Sequence, residues 1–169
     1  MVKKVVVQTK STFETIRVGK EIGSRLLPGD VVALTGELGA GKTQFIKGLA
    51  AGVGIENSAY LSSPSFTLIH EYPGEIPFYH MDFFRLAKEE EAEALGLEEY
   101  FQGGGITAIE WADKISSLLP KELLSIRIAY VAKNIRFLEI AGNGKRYLNL
   151  VDQIQSLEFG TKKKRNQDS

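Results

Sequence analysis

Eight consecutive residues, Gly36-Glu37-Leu38-Gly39-Ala40-Gly41-Lys42-Thr43, carry the clearest chemistry in this chain. They satisfy the P-loop spacing Gly-x-x-x-x-Gly-Lys-Thr in full. Gly36, Gly39 and Gly41 let the backbone turn its N–H groups toward a polyphosphate where a Cβ would obstruct. The amides at the start of a following helix add a field that favours anions. Lys42 is then placed to reach the β- and γ-phosphates, and the Thr43 hydroxyl to ligate Mg²⁺. The context supports the motif: Val31-Val32-Ala33-Leu34 before it reads as a buried strand, and Phe45, Ile46, Leu49 and Val53 after it as a helix. A nucleoside triphosphate is the expected ligand, with Mg²⁺ as its cation.

Such a loop needs an acid at a strand end to hold the metal or its water. Two acids follow apolar strands: Glu110 after Ile106-Thr107-Ala108-Ile109, and Asp82 after Phe78-Tyr79-His80-Met81. Ligands of parallel α/β sheets sit beyond the carboxyl ends of strands, which is where Glu110 falls. Asp82 reaches the same place from a hairpin. His70 and His80 alternate with apolar neighbours and read as strand residues rather than metal ligands.

The elements that must position these groups follow from periodicity and punctuation. Ser11 and Glu14 form a capping-box pattern ahead of a helix whose apolar stripe is Phe13, Ile16, Ile22 and Leu26, stopped at Pro28-Gly29. Phe66, Leu68 and His70 alternate with Thr67, Ile69 and Glu71 as in a strand. Pro73-Gly74-Glu75 turns that strand into residues 76–82, an antiparallel hairpin in an otherwise α/β chain. An acidic helix is expected over Glu89–Leu97, a further helix over Trp111–Leu119, and two strands around Lys133-Asn134. Tyr147, Leu150, Val151, Ile154 and Leu157 mark a last amphipathic helix.

Length and composition set the frame. The chain has 169 residues, enough for one large core. Basic and acidic side chains balance at 21 each, so no overall field points to nucleic acid or membrane. The absence of cysteine excludes disulfides, thiolate metal sites and a cysteine nucleophile, and suits a reducing cytosol. Val5-Val6-Val7 is too short for a secretion signal, and no apolar run approaches the roughly 20 residues of a membrane span. The expectation is a cytoplasmic protein: one domain over residues 1–160, then a disordered basic tail over 161–169. The tail's Lys162–Arg165 run is either a weak nucleic-acid contact or a solvated terminus. The expected fold is α/β, a P-loop NTPase three-layer sandwich with a mainly parallel sheet and an antiparallel hairpin insertion.

Four segments together resemble one family, the bacterial TsaE (YjeE) ATPases of tRNA threonylcarbamoyladenosine synthesis. They are the loop ending Leu38-Gly39-Ala40-Gly41-Lys42-Thr43, then Ser63-Pro64-Ser65-Phe66-Thr67 with Glu71-Tyr72, then His80-Met81-Asp82-Phe83-Phe84-Arg85-Leu86, and Glu110-Trp111. The likeness covers about residues 5 to 142. The departures leave the P-loop, Asp82 and Glu110 in place: Ser65 for threonine with its hydroxyl kept, Met81 and Phe84 where Phe and Tyr are commoner, the latter without the Tyr hydroxyl, and Ala112 where proline often stands. The resemblance implies an ATPase acting with TsaB and TsaD, the latter modifying adenosine 37 of tRNAs that read codons beginning with A. It implies nucleotide contacts from Leu38, Gly39, Ala40, Gly41, Lys42 and Thr43, with adenine near Thr12. It also implies Mg²⁺ on Thr43 and Glu110, hydrolysis linked to Asp82, and a switch-like segment over Ser63–Thr67.

A small-molecule or nucleoside kinase is the main alternative, but it requires a cationic lid, and Arg85 is the only arginine between the hairpin and the last strands. A GTPase would need an Asn-Lys-x-Asp reader, which is missing. A nucleotide clamp without turnover is the third reading, and intact Lys42, Thr43, Asp82 and Glu110 argue against it.

Overall fold

A computed structural model describes residues 1–157 and 159. In chain order the elements are β1 (Val2–Thr9), α1 (Thr12–Gly23), β2 (Val31–Thr35), α2 (Lys42–Val53), β3 (Ile69–Tyr72), β4 (Phe78–Asp82), α3 (Glu90–Glu93), α4 (Leu97–Gln102), β5 (Ile106–Glu110), β6 (Leu123–Ala132), β7 (Ile135–Asn143) and α5 (Lys145–Ser156). Two 3₁₀ segments, Ser58–Tyr60 and Ala112–Leu118, connect them.

All seven strands join one sheet in the order β1-β7-β6-β2-β5-β4-β3. The four central strands β6, β2, β5 and β4 are parallel. The hairpin β3/β4 borders them on one side as the sequence implies, and β6/β7/β1 run antiparallel on the other. The sheet is therefore mixed rather than mainly parallel. The reason is local: the Lys133-Asn134 link leaves no room for a crossover, and the chain reverses there through a left-handed Asn134 (φ 64°).

Strand alternation divides the core in two. Val32 and Leu34 of β2 face one cluster with Ile22 of α1, Phe45 and Leu49 of α2 and Leu150 of α5. Val31 and Ala33 face the other, with Ala92 of α3, Leu97 of α4 and Ile115. The sheet is thus covered on both faces, and the carboxyl ends of β2, β5 and β4 lie side by side. Leu34 is paired with Glu110, and Asp82 with Glu110.

Helix α1 lies against α2 with almost nothing between the backbones. A Cβ on Gly19 would stand 2.4 Å from the Phe45 carbonyl oxygen, and one on Gly48 only 2.1 Å from that of Ile16. The buried face of α1 is Thr15, Val18, Gly19, Ile22 and Gly23. Of the apolar stripe that the sequence suggests, Ile22 and Leu26 are buried, whereas Phe13 is 75% exposed. Counting only apolar residues misses the part of the face made by Thr15, Gly19 and Gly23.

Three other expectations are corrected. The strand begins at Ile69 rather than Phe66, because Leu68 is left-handed (φ 67°) and its N–H turns back to the Pro64 carbonyl at 2.7 Å. The acidic helix is two short ones, broken where Gly96 takes φ 66°. Residues 112–118 are 3₁₀ rather than α, entered through a left-handed Trp111 (φ 59°) and kinked at Ile115. The expected tail over 161–169 lies outside the described residues. Among those described, no helix is long and apolar enough to cross a membrane.

Candidate functional site

Strand β2 delivers the chain into the glycine loop, and α2 carries it away. Gly36, Gly39 and Gly41 all have positive φ (143°, 78° and 108°), conformations that side chains with a Cβ rarely adopt. At Gly36 there is also no space, since a Cβ would lie 2.5 Å from the Ile128 carbonyl oxygen. Gly41 caps α2 with no side-chain hydrogen bond, and the first turn contains no acid. A helix start of this kind offers unpaired N–H groups and a positive field to an anion.

Lys42, the first residue of α2, is nearly buried. Its Nζ donates to the carbonyls of Gly36 (2.6 Å) and Glu37 (2.8 Å) and sits 4.2 Å from the centre of the Trp111 ring. Burial pushes its pKa below the usual 10.5, against the opposing pull of Glu110, Asp82 and Asp113. The ammonium is thus held in place by soft partners, two carbonyls and a π face, which a polyphosphate could replace.

The acids meet the loop as the strand order dictates. The Thr43 hydroxyl donates to Glu110 Oε1 at 2.9 Å, using its only hydrogen and leaving lone pairs for a cation. The other oxygen of Glu110, Oε2, lies 2.7 Å from His80 Nε2. Asp82 is tied differently. Its Oδ1 accepts the Phe84 N–H at 2.9 Å, and its Oδ2 accepts the Ser63 hydroxyl. That second bond anchors the Ser63–Thr67 segment to the end of β4.

A cavity of about 590 Å³ gathers these groups. Of the residues singled out in the sequence, Thr12, Leu38, Gly39, Gly41, Lys42, Thr43, Asp82 and Glu110 all line it. Ala40 does not: it is buried behind the loop, where its carbonyl accepts Arg136 Nε at 2.8 Å. Arg136 and Trp111 also line the cavity. Sequence reasoning missed Arg136, which no motif marks. Its proximity follows from the β6/β7 hairpin, which brings the start of β7 beside the loop. A cavity of about 620 Å³ on the other face, between α4 and Ser117–Pro120, contains none of these groups.

The donor set suits a triphosphate with a hard cation. Among the described residues, no three His, Asp or Glu side chains form a metal cage. A cation on Thr43 and Glu110 would draw its remaining oxygens from phosphate and water, as Mg²⁺ does.

Known proteins resemble this chain over most of its length. The family model described as threonylcarbamoyl adenosine biosynthesis protein TsaE matches residues 9–137. The tRNA threonylcarbamoyladenosine biosynthesis protein TsaE of Bacillus subtilis is 42% identical over 153 residues, spanning 90% of this chain and 94% of that one. Its Treponema pallidum counterpart is 40% identical over 133 residues, covering 79% of this chain and 97% of its own. The crystal structure of Bacillus subtilis YdiB superposes with a TM-score of 0.77 at 38% identity, covering 92% of this chain and 96% of that one.

Proposed function

This chain belongs to the TsaE family, and from that premise we propose that it is a Mg²⁺-dependent ATPase serving tRNA threonylcarbamoyladenosine synthesis in the cytoplasm. Its fold is that of a P-loop NTPase, and its partners are the TsaB and TsaD proteins. It does not itself carry the threonylcarbamoyl group. The observation that carries the ATPase reading is the Thr43–Glu110 hydrogen bond at 2.9 Å, closed beside Lys42 at the mouth of the glycine loop. It links the start of α2 to the end of a neighbouring parallel strand, where hydroxyl and carboxylate together make a Mg²⁺ seat.

Each residue then has a task. The glycine loop from Leu38 to Thr43 and the amides of α2 bind the phosphates, and Lys42 exchanges its carbonyl partners for phosphate oxygens. Thr12, at the cavity rim, flanks the base. Thr43 and Glu110 hold Mg²⁺, which supplies charge neutralisation on the phosphates. Asp82, next to Glu110 across the β4/β5 pair, orients the attacking water.

Phosphate release from ATP tests this directly, with the chain alone and with the TsaB–TsaD pair added. The expected result is Mg²⁺-dependent release that Glu110→Ala and Asp82→Ala both suppress. Nucleotide binding with no release in either condition would reduce the protein to a clamp, and phosphate transfer to an added nucleoside would make it a kinase.

A further inference from the structure

The buried face of β4 contains a histidine that the tasks above leave unused. His80 is completely buried, on the β4 face that it shares with buried Phe78, two residues before it. His80 leaves its Nδ1 buried with no hydrogen-bond partner, an arrangement protein interiors rarely tolerate without cause. Its other nitrogen supplies the cause: Nε2 lies 2.7 Å from Glu110 Oε2. A carboxylate accepts, so Nε2 carries the hydrogen and donates it.

Register explains how the two meet. His80 pairs with Ala108 and Asp82 with Glu110, so His80 and Glu110 are diagonal neighbours on one face of the β4/β5 pair. Glu110 is itself buried and requires donors on both oxygens. Thr43 serves Oε1 and His80 serves Oε2. With one bond on each oxygen, the carboxylate plane is fixed and Oε1 faces Thr43.

We infer that His80 is a positioning residue that holds Glu110 for the cation through the Nε2–Oε2 hydrogen bond, an inference that rests on the Mg²⁺ seat proposed above. Without that donor Glu110 is free to turn about its terminal torsion, and the seat loses its preset geometry. Partners of this kind are worth about 10- to 100-fold in metal affinity.

The test uses two near-isosteric variants. Glutamine places its amide nitrogen where Nε2 stands, whereas asparagine is too short and reaches only the Nδ1 position. The readout is the Mg²⁺ concentration for half-maximal binding of a non-hydrolysable ATP analogue, followed by the fluorescence of Trp111, the only tryptophan. His80→Asn should raise that midpoint about tenfold, and His80→Gln should stay within about threefold of the parent. Binding of the analogue in the absence of Mg²⁺ should be unchanged in both. In a Glu110→Gln background, His80→Asn should add nothing, because it acts through Glu110. A parent-like midpoint in His80→Asn, or equal shifts in both His80 variants, would overturn the positioning role. Glu110→Gln serves as the control for the seat itself: if it leaves the Mg²⁺ midpoint unchanged, the metal reading fails, and the inference fails with it.

Discussion

Lys42 combines two requirements that pull against each other. The proposed phosphate contact needs it charged, yet burial lowers its pKa from 10.5. The consequences have opposite signs. A lowered lysine pKa means that the unfolded chain holds its proton to higher pH than the folded one, so this group's penalty on folding is relieved as pH rises through the lowered value toward 10.5. ATP affinity moves the other way, because neutral Lys42 loses its attraction to the phosphates. Binding measured across the alkaline range should therefore weaken before pH 10.5 is reached, and binding should take up protons from the buffer there. Calorimetry in buffers of different ionisation enthalpy reads that uptake directly. The two acids should separate as well. Glu110→Ala should raise the Mg²⁺ needed for binding by at least about tenfold, since the variant removes the carboxylate of the proposed Mg²⁺ seat. Asp82→Ala should leave binding within about threefold while lowering turnover about 100-fold, the scale of a lost proton-handling or water-orienting group. Equal losses of binding in the two variants would refute the division.

The elements that matter most are α1 and α2, because α2 begins with Lys42 and Thr43. Their crossing admits no side chain at Gly19 or Gly48. Gly48→Ala places a methyl 2.1 Å from a backbone oxygen that cannot swing aside, so the helices must part. The expected cost is about 2 kcal/mol or more in urea unfolding, together with weakened ATP binding as α2 shifts. Gly54→Ala is the contrast: nothing lies within 4 Å, and only the strain of φ 102° remains, about 1 kcal/mol. This crossing was illegible in the sequence, because glycines inside a helix read as weak points and the apolar stripe, buried at Ile22 and Leu26, began at the exposed Phe13. The glycine loop was legible, because its function dictates residue types at fixed spacing. Asp82 and Glu110 were legible too, as acids ending apolar strands. The left-handed Leu68 and Trp111 were not, since neither residue type favours that conformation and tertiary contacts impose it. Arg136 and His80 stayed hidden for a related reason. Their partners, Ala40 and Glu110, lie far away in sequence and meet them only through sheet order.

At the scale of the molecule, the site opens beside a surface suited to reporting its state. Ser63 ties the 63–67 segment to Asp82, and Phe66 from that segment is 83% exposed, with the Arg85 guanidinium 4.2 Å from its ring centre. A nucleotide that changes the Ser63–Asp82 contact would re-aim Phe66. The TsaB–TsaD pair should therefore bind with different affinity in ATP analogue and in ADP, and Phe66→Ala should narrow that difference without affecting stability. Identical affinities in both nucleotides would remove the switch and leave the ATPase intact.

Every role proposed above depends on a triphosphate seated in the glycine loop. Titration calorimetry of the full chain with ATP and Mg²⁺, run beside Lys42→Ala, is the most direct test. The parent should bind one ATP per chain, and the variant, equally folded by its unfolding transition, should bind at least about tenfold more weakly for want of one charge-assisted contact. A Lys42→Ala protein that binds ATP as tightly as the parent would contradict the account.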